Sequence, residues 1–290
     1  MAKHRMTRRG RLLVWTGAGA VLAGGGAFTA SALSPATVTR AAAKVAQKQR
    51  PAPAVFTGHL FDTCTAPSLS AMKAWKGAGA YGGVAVYIGG RNRGCAQPEL
   101  TPSWVKSVSA SGWKVAPLYV GLQPPCQKSG SKHRIDPARA TEQGTADGAD
   151  VVARAAALGM RPGSALYFDM EPYDIKDTAC DSAVLGYVRA WNRAVRAKGY
   201  WAGYYGFAST SAAAVATATA RNPADMPDAF WYALWNGQRT TTADWPWQPS
   251  LWTGHRRAHQ YLANSKETHG GVTLTVDRDD WDAPVAVVTP

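Results

Sequence analysis

Residues 165–172 read ALYFDMEP, an apolar run that carries two carboxylates and is closed at once by a proline. On a strand successive side chains alternate faces, so Tyr167, Asp169 and Glu171 share one face while Leu166, Phe168 and Met170 take the other. Residues two apart on a strand lie about 6.6 Å apart, which lets two carboxylates reach one substrate bond from different positions. Pro172 has no N–H to donate and ends the ladder. Helical patterns flank the run on both sides, and a buried apolar strand in that setting is a parallel strand of an α/β fold, with ligands at its carboxyl end.

The same unit recurs outward from this stretch. Strands are expected at Gly58–Asp62, Val84–Gly89, Lys114–Gly121, the quoted run, Tyr200–Phe207, Phe230–Gly237, Ala258–Asn264 and Val272–Asp277. Between them lie helical patterns with recognisable starts: Pro67, Thr101 with Pro102, Asp136 with Pro137, Asp181 or Ser182, and an Ala-rich segment over 211–221. Trp75, Trp104 and Trp191 fall at helical spacing and read as helix-to-sheet packing. Eight strands fit a closed barrel. The pattern loosens after the sixth strand, and only residues 265–271 separate the last two. The expected fold is therefore α/β, an irregular TIM (β/α)8-like barrel with about five main helices and partly antiparallel final strands.

The first 57 residues read differently. Lys3, Arg5, Arg8, Arg9 and Arg11 precede a Gly-diluted apolar run, and small residues allow cleavage after Ala32, so residues 1–32 are expected to be a twin-arginine signal peptide. Residues 33–57 read as a basic flexible linker and residues 58–290 as the barrel. Nine of the 32 Lys and Arg residues, and none of the 19 acids, precede Gly58, which leaves the barrel at +4 against +13 for the whole chain. With no basic stripe, nucleic acid is not an expected partner. No stable membrane insertion is expected once the signal is cleaved, and the destination is secreted or cell-wall associated. Cys64, Cys95, Cys126 and Cys180 are four cysteines in an exported chain, hence two disulfides. Of three pairings, Cys64 with Cys95 and Cys126 with Cys180 join neighbouring loops.

In such a barrel Asp62, Asp169, Glu171 and Asp277 sit at strand ends around one bowl. Crowding them raises at least one pKa, which suits a general acid beside an ionised partner. Tyr87, Tyr119, Tyr204, Tyr205, Trp235 and Tyr261, with Gln260, offer ring faces and polar tips to sugars. The order GHLFD, FDME, HQY, VDRDDW resembles the barrel lysozymes of glycoside hydrolase family 25, and most closely their exported relatives grouped as glycoside-hydrolase-like domain of unknown function 1906. That resemblance implies Glu171 as general acid, Asp169 as the group stabilising positive charge or orienting an N-acetyl group, and Asp62 and Asp277 as flanking acids. It implies a cell-envelope polysaccharide as substrate, peptidoglycan in the lysozymes, and no cofactor.

The Cys-bearing loops depart from the lysozyme pattern, as does the long basic segment from Gln123 to Ile135 with Lys128, Lys132, His133 and Arg134. A non-catalytic glycan-binding barrel is the alternative from another class, and a divalent-metal site at Asp169 and Glu171 a third. His255 and His259 straddle a loop and a strand and make a poor zinc pair. Asp279 and Asp280 read as solvated turn residues before Trp281.

Overall fold

The computed structural model describes residues 50–288 apart from 80, 129 and 131; the expected signal peptide and most of the expected linker lie outside these residues. Eight strands close a barrel in chain order: β1 (Ala54–Asp62), β2 (Gly83–Gly89), β3 (Lys114–Tyr119), β4 (Ala165–Met170), β5 (Trp201–Phe207), β6 (Ala229–Ala233), β7 (Arg257–His269) and β8 (Val272–Val285). Five helices cover it: α1 (Leu69–Ala78), α2 (Pro102–Ala110), α3 (Ala140–Ala157), α4 (Thr178–Ala197) and α5 (Ser211–Arg221). Among the described residues no helix is long and apolar enough to cross a membrane.

Strands β1 to β7 pair in parallel, whereas β8 runs antiparallel to both β7 and β1. A tight turn at Gly270 and Gly271 reverses the chain, both with positive φ (56° and 78°). The Gly270 turn also lies so close to α1 that a Cβ there would sit 2.6 Å from the Ala74 carbonyl. The Trp75 indole donates to Val272 O at 3.0 Å and anchors this hairpin to α1.

Two segments start earlier than the sequence pattern indicates. β1 begins at Ala54, inside the expected linker, because Ala54–Asp62 pairs residue for residue with β8 as far as Val285. Arg50 is also part of the barrel, bridging to Asp228 at 2.5 Å and stacking over Trp201 at 3.8 Å. α4 begins at Thr178 because Asp177 caps it by accepting from Cys180 N at 3.0 Å, while Asp181 is taken by the Tyr173 hydroxyl at 2.7 Å.

Alternation divides the core. Leu166, Phe168 and Met170 of β4 face the helices with Trp75, Trp104 and Trp191, all essentially inaccessible to solvent. Tyr167 faces inward with Leu118, Trp231 and Trp281. The three inner rings meet edge to face at 5.1–6.0 Å and plug the barrel beneath the acids. Gly203 makes room for this plug, since a Cβ there would lie 2.4 Å from the Tyr167 ring.

The two disulfides pair Cys64 with Cys95 and Cys126 with Cys180. The first ties the loop after β1 to the loop after β2. The second ties the loop after β3 to the first turn of α4.

Candidate active site

The carboxyl end of β4 brings up Asp169, which is 3% exposed, and Glu171, which is half-buried just past the strand. The chain turns there with help from Gln123. Its amide donates to Asp169 O at 2.8 Å and accepts from Glu171 N at 2.9 Å, clamping the main chain on both sides of Met170. Gln123 is itself fully buried, and the preceding Leu122 N is held by Asp147 of α3 at 3.1 Å.

Asp62 ends β1 and stands opposite Asp277 in the antiparallel ladder. Such pairs have Cα atoms about 4.5–5.5 Å apart, so two carboxylates are forced together. One amide keeps them there: Gln260 Nε2 donates to Asp62 at 2.8 Å and to Asp277 at 3.3 Å. Gln260 Oε1 accepts from the Tyr205 hydroxyl at 2.8 Å and the Trp235 indole at 2.9 Å, which fixes which end of the amide faces the acids. Tyr87 donates to the second oxygen of Asp62 at 3.2 Å. Asp277 takes an additional bond from Asn264 N at 2.6 Å.

Asp277 lies at the mouth although it is not at the carboxyl end of its own strand. β8 enters from the mouth and runs down, so residues in its first half lie level with the last residues of β1. The same reversal places Asp279 directly below. It is fully buried and accepts from the Trp231 indole at 2.8 Å, so it does not solvate a turn as expected. Its spacing of two from Asp277 is the signal that places both on one face of a strand. Asp280 does reach solvent and bridges to Arg239 at 3.3 Å.

All five acids are harder to ionise than free carboxyls. Burial pushes the Asp62 pKa up to about 7, assisted by the Asp277 charge. Burial drives Asp169 well above the carboxylate range, with repulsion from Glu171 and Asp62 adding to it. Asp279 is raised well above by burial and then by Asp62 and Asp277. Glu171 and Asp277 are raised by burial, the latter held back by the Asn264 N–H. So many carboxyls in one poorly hydrated pocket must share protons. Asp169 Oδ1 has no hydrogen-bond partner among the described residues and keeps acceptor capacity.

Of the residues expected to meet sugars, Tyr87, Tyr205, Trp235 and Gln260 gather around the acids. Gln260 has both amide ends occupied by protein, and Trp235 is 53% exposed with its ring edge-on to Phe207 at 5.5 Å. Tyr119, Tyr204 and Tyr261 do not belong to this group. Tyr119 bonds Asp150 of α3 at 2.8 Å, and Tyr204 bonds Ser211 O at 3.1 Å and stacks on Phe230. Tyr261 lies beside His259 at 6.2 Å on the other face of β7 from Gln260. Each is one residue from an inward neighbour, and a shift of one on a strand exchanges faces.

His255 and His259 do not converge. His255 meets Asp282 at 2.7 Å, and buried His259 lies 2.8 Å from the carbonyls of both Thr240 and Leu234. No group of three or more His, Cys, Asp or Glu side chains among the described residues is arranged so that it could hold a metal ion.

Glu171 opens on a cavity of about 1200 Å³, bounded by the loops after β2 and β3 and by residues 172–174. This lies just above the ~300–1,000 Å³ of small-molecule sites. Glu171 is thus a half-buried carboxyl at the edge of this cavity, with Asp169 buried two residues before it. A family model described as Rv2525c-like, glycoside hydrolase-like domain matches residues 73–281. The chain belongs to this family. No curated protein matches it. Among solved structures, an uncharacterised protein of B. stearothermophilus is 17% identical with a TM-score of 0.53, over 77% of this chain and 95% of that one, which shows a shared fold. The modular autolysin LytC of Streptococcus pneumoniae (15% identical, TM-score 0.49, 78% of this chain and 46% of that one) and the spore cortex lytic enzyme SleM of Clostridium perfringens (10%, 0.47, 78% and 67%) are more distantly similar. Two disulfides fit a protein of an oxidising compartment.

Proposed function

We propose that this member of the glycoside hydrolase-like family is a secreted glycoside hydrolase acting on a cell-envelope polysaccharide, with peptidoglycan the first candidate. The supporting observation is the division of environments at the carboxyl end of β4. Glu171 reaches the open cleft with a raised pKa, while Asp169, two residues earlier, is buried behind it with one unpartnered oxygen. Glu171 keeps its proton longer than a free glutamate and donates it to the leaving glycosidic oxygen. Asp169 faces the ring carbon from which that oxygen departs. Protonated, as its raised pKa dictates, it accepts the N–H of an acetamido group through its unpartnered oxygen so that the acyl oxygen attacks; steadying positive charge requires that its proton first pass to a neighbouring acid. Asp62 and Asp277, held by Gln260, supply negative potential below the reacting ring. Trp235 supplies an exposed ring face for an adjacent sugar.

The test is Glu171→Gln in the mature chain. It is expected to fold normally, to bind a responsive wall glycan, and to release new reducing ends at least about 100-fold more slowly than the wild type. Unchanged release would remove Glu171 from the acid role. Binding by the wild-type chain without cleavage, over a broad panel of wall glycans, would assign the barrel to glycan binding.

A further inference from the structure

The cleft beside Glu171 has a sign of charge that the acids do not account for. Its far wall carries Arg91 and Arg93 from the loop after β2, and Lys128, Lys132 and His133 from the loop after β3. Against these stand only Glu171 and Asp174 among its lining carboxylates. Arg91, Lys128, Lys132 and His133 are exposed, and none of the four Arg and Lys side chains forms an ion pair among the described residues. Elsewhere on the fold some exposed Arg residues are paired, as in Arg139 with Glu142, Arg154 with Asp150 and Arg193 with Asp225, while Arg161 and Arg221 stand singly without an ion pair among the described residues; the cleft differs in gathering several such cations in one place. Cations concentrated on one wall of a cleft, with few carboxylates opposite, create a positive potential there.

The wall is also built to hold its shape. Asn92, between the two arginines, donates to Gly121 O at 2.8 Å and His133 O at 2.7 Å. Its side-chain oxygen accepts from the main-chain N–H groups of Lys132 and His133 at 3.1 Å each. One side chain therefore staples the two basic loops together. The loop after β3 closes on Gln123, which pairs with His133 O and Ile135 N, and the Cys126–Cys180 disulfide fastens it to α4. Gln123 is the residue that clamps Glu171, so the cationic wall and the carboxyl are positioned by one connected piece of structure.

We propose that the cleft selects an anionic glycan, one whose carboxylate or phosphate groups lie on units adjoining the bond presented to Glu171. This rests on the reading of Glu171 as the centre of a glycan site and names the class of glycan. Neutral chains gain nothing from the wall. An anionic chain is drawn along it and held with its acidic groups on the arginines and lysines, away from the carboxylates that would repel them.

Binding is measured in the Glu171→Gln full-length chain, so that turnover does not intervene. The probes are an oligogalacturonate for carboxylates, a poly(glycerol phosphate) for phosphates, a neutral chitin oligosaccharide, and a single-stranded oligonucleotide. At low salt one or both anionic glycans are expected to bind at least about tenfold tighter than the chitin oligosaccharide, with the preference fading as salt rises. Combining Arg91→Glu, Lys128→Glu and Lys132→Glu is expected to abolish the preference while leaving chitin affinity and the melting temperature unchanged. Lys128→Arg with Lys132→Arg is expected to retain it. Equal affinity for charged and neutral glycans, an unaffected preference in the reversed-charge variant, or equally tight binding of the oligonucleotide overturns the proposal. Charge-selective glycan binding by a wild-type chain that cleaves none of the probes would uphold the anionic preference and count against hydrolysis.

Discussion

Replacing Asp62 by Asn isolates the cost of crowding acids into the mouth of this barrel. Asp62 is buried to 2% exposure, faces Asp277 across the ladder, and has its pKa raised to about 7 from an unfolded value near 3.8. The folded state therefore holds a proton that the unfolded chain releases. The associated stability is fully present below pH 3.8 and is lost as pH rises through 7. About three pH units at about 1.4 kcal/mol each give a loss on the order of 4 kcal/mol across that window. The amide of the Asp62→Asn variant neither gains nor loses a proton, so it carries no proton linkage of its own. Losing the Asp62 charge also eases the ionisation of Asp169 and Asp279, which acts in the same direction at high pH. The amide's own cost is about 1 kcal/mol, from replacing one acceptor oxygen facing Gln260 and Tyr87 by a donor. Asp228 and Glu267, whose pKa values are lowered against burial by their arginine and histidine partners, titrate in the opposite direction in both proteins and cancel in the difference. Urea unfolding followed by tryptophan fluorescence at pH 4 to 8 reads this difference. The variant is expected to be the less stable protein at pH 4 and the more stable at pH 8. Parallel stability profiles would refute the view that burial and Asp277 burden the Asp62 charge.

Asp279→Asn is expected to match or exceed wild-type stability at pH 8, because an amide keeps the acceptor for Trp231 and carries no charge; Asp279→Leu strands the indole N–H and should cost about 1–3 kcal/mol, read from denaturation curves. Gln123→Ala removes both bonds that clamp the main chain around Met170 and should cost about 2–4 kcal/mol, while reducing glycan turnover more than glycan affinity in steady-state kinetics. Breaking the Cys126–Cys180 bridge by Cys126→Ser with Cys180→Ser, across a separation of 54 residues, should cost up to about 4 kcal/mol and, by loosening the loop, speed tryptic cleavage after the exposed Lys128 and Lys132. Cleavage at the same rate in both proteins would show that the bridge does not hold that loop.

The period-two pattern of ALYFDMEP is enough to place Asp169 inward and Phe168 outward, and the recurrence of strand and helix is enough to predict the barrel, since both follow from local alternation and caps. The same rule, applied strictly, excludes Tyr204 once Tyr205 faces inward, and Tyr119 once Leu118 does. Asp279 is hidden by the expected turn: VDRDDW looks like polar punctuation unless β8 is known to continue to Val285. That continuation depends on pairing with β1, a contact between the two ends of the barrel sequence that no local window contains. The roles of Gln123 and Asn92 are equally out of reach, because each acts through main-chain groups that only the folded loops bring near.

The nine-residue ladder between β1 and β8 also bears on how the molecule is made. Its first strand has only a three-residue parallel register with β2 and must wait for the last strand to complete its other edge. Ring closure is thus deferred until β8 is available to pair. Until then the half-made mouth lacks Asp277 and Asp279, and the charge conflict of the finished site arises only at the moment the ring shuts.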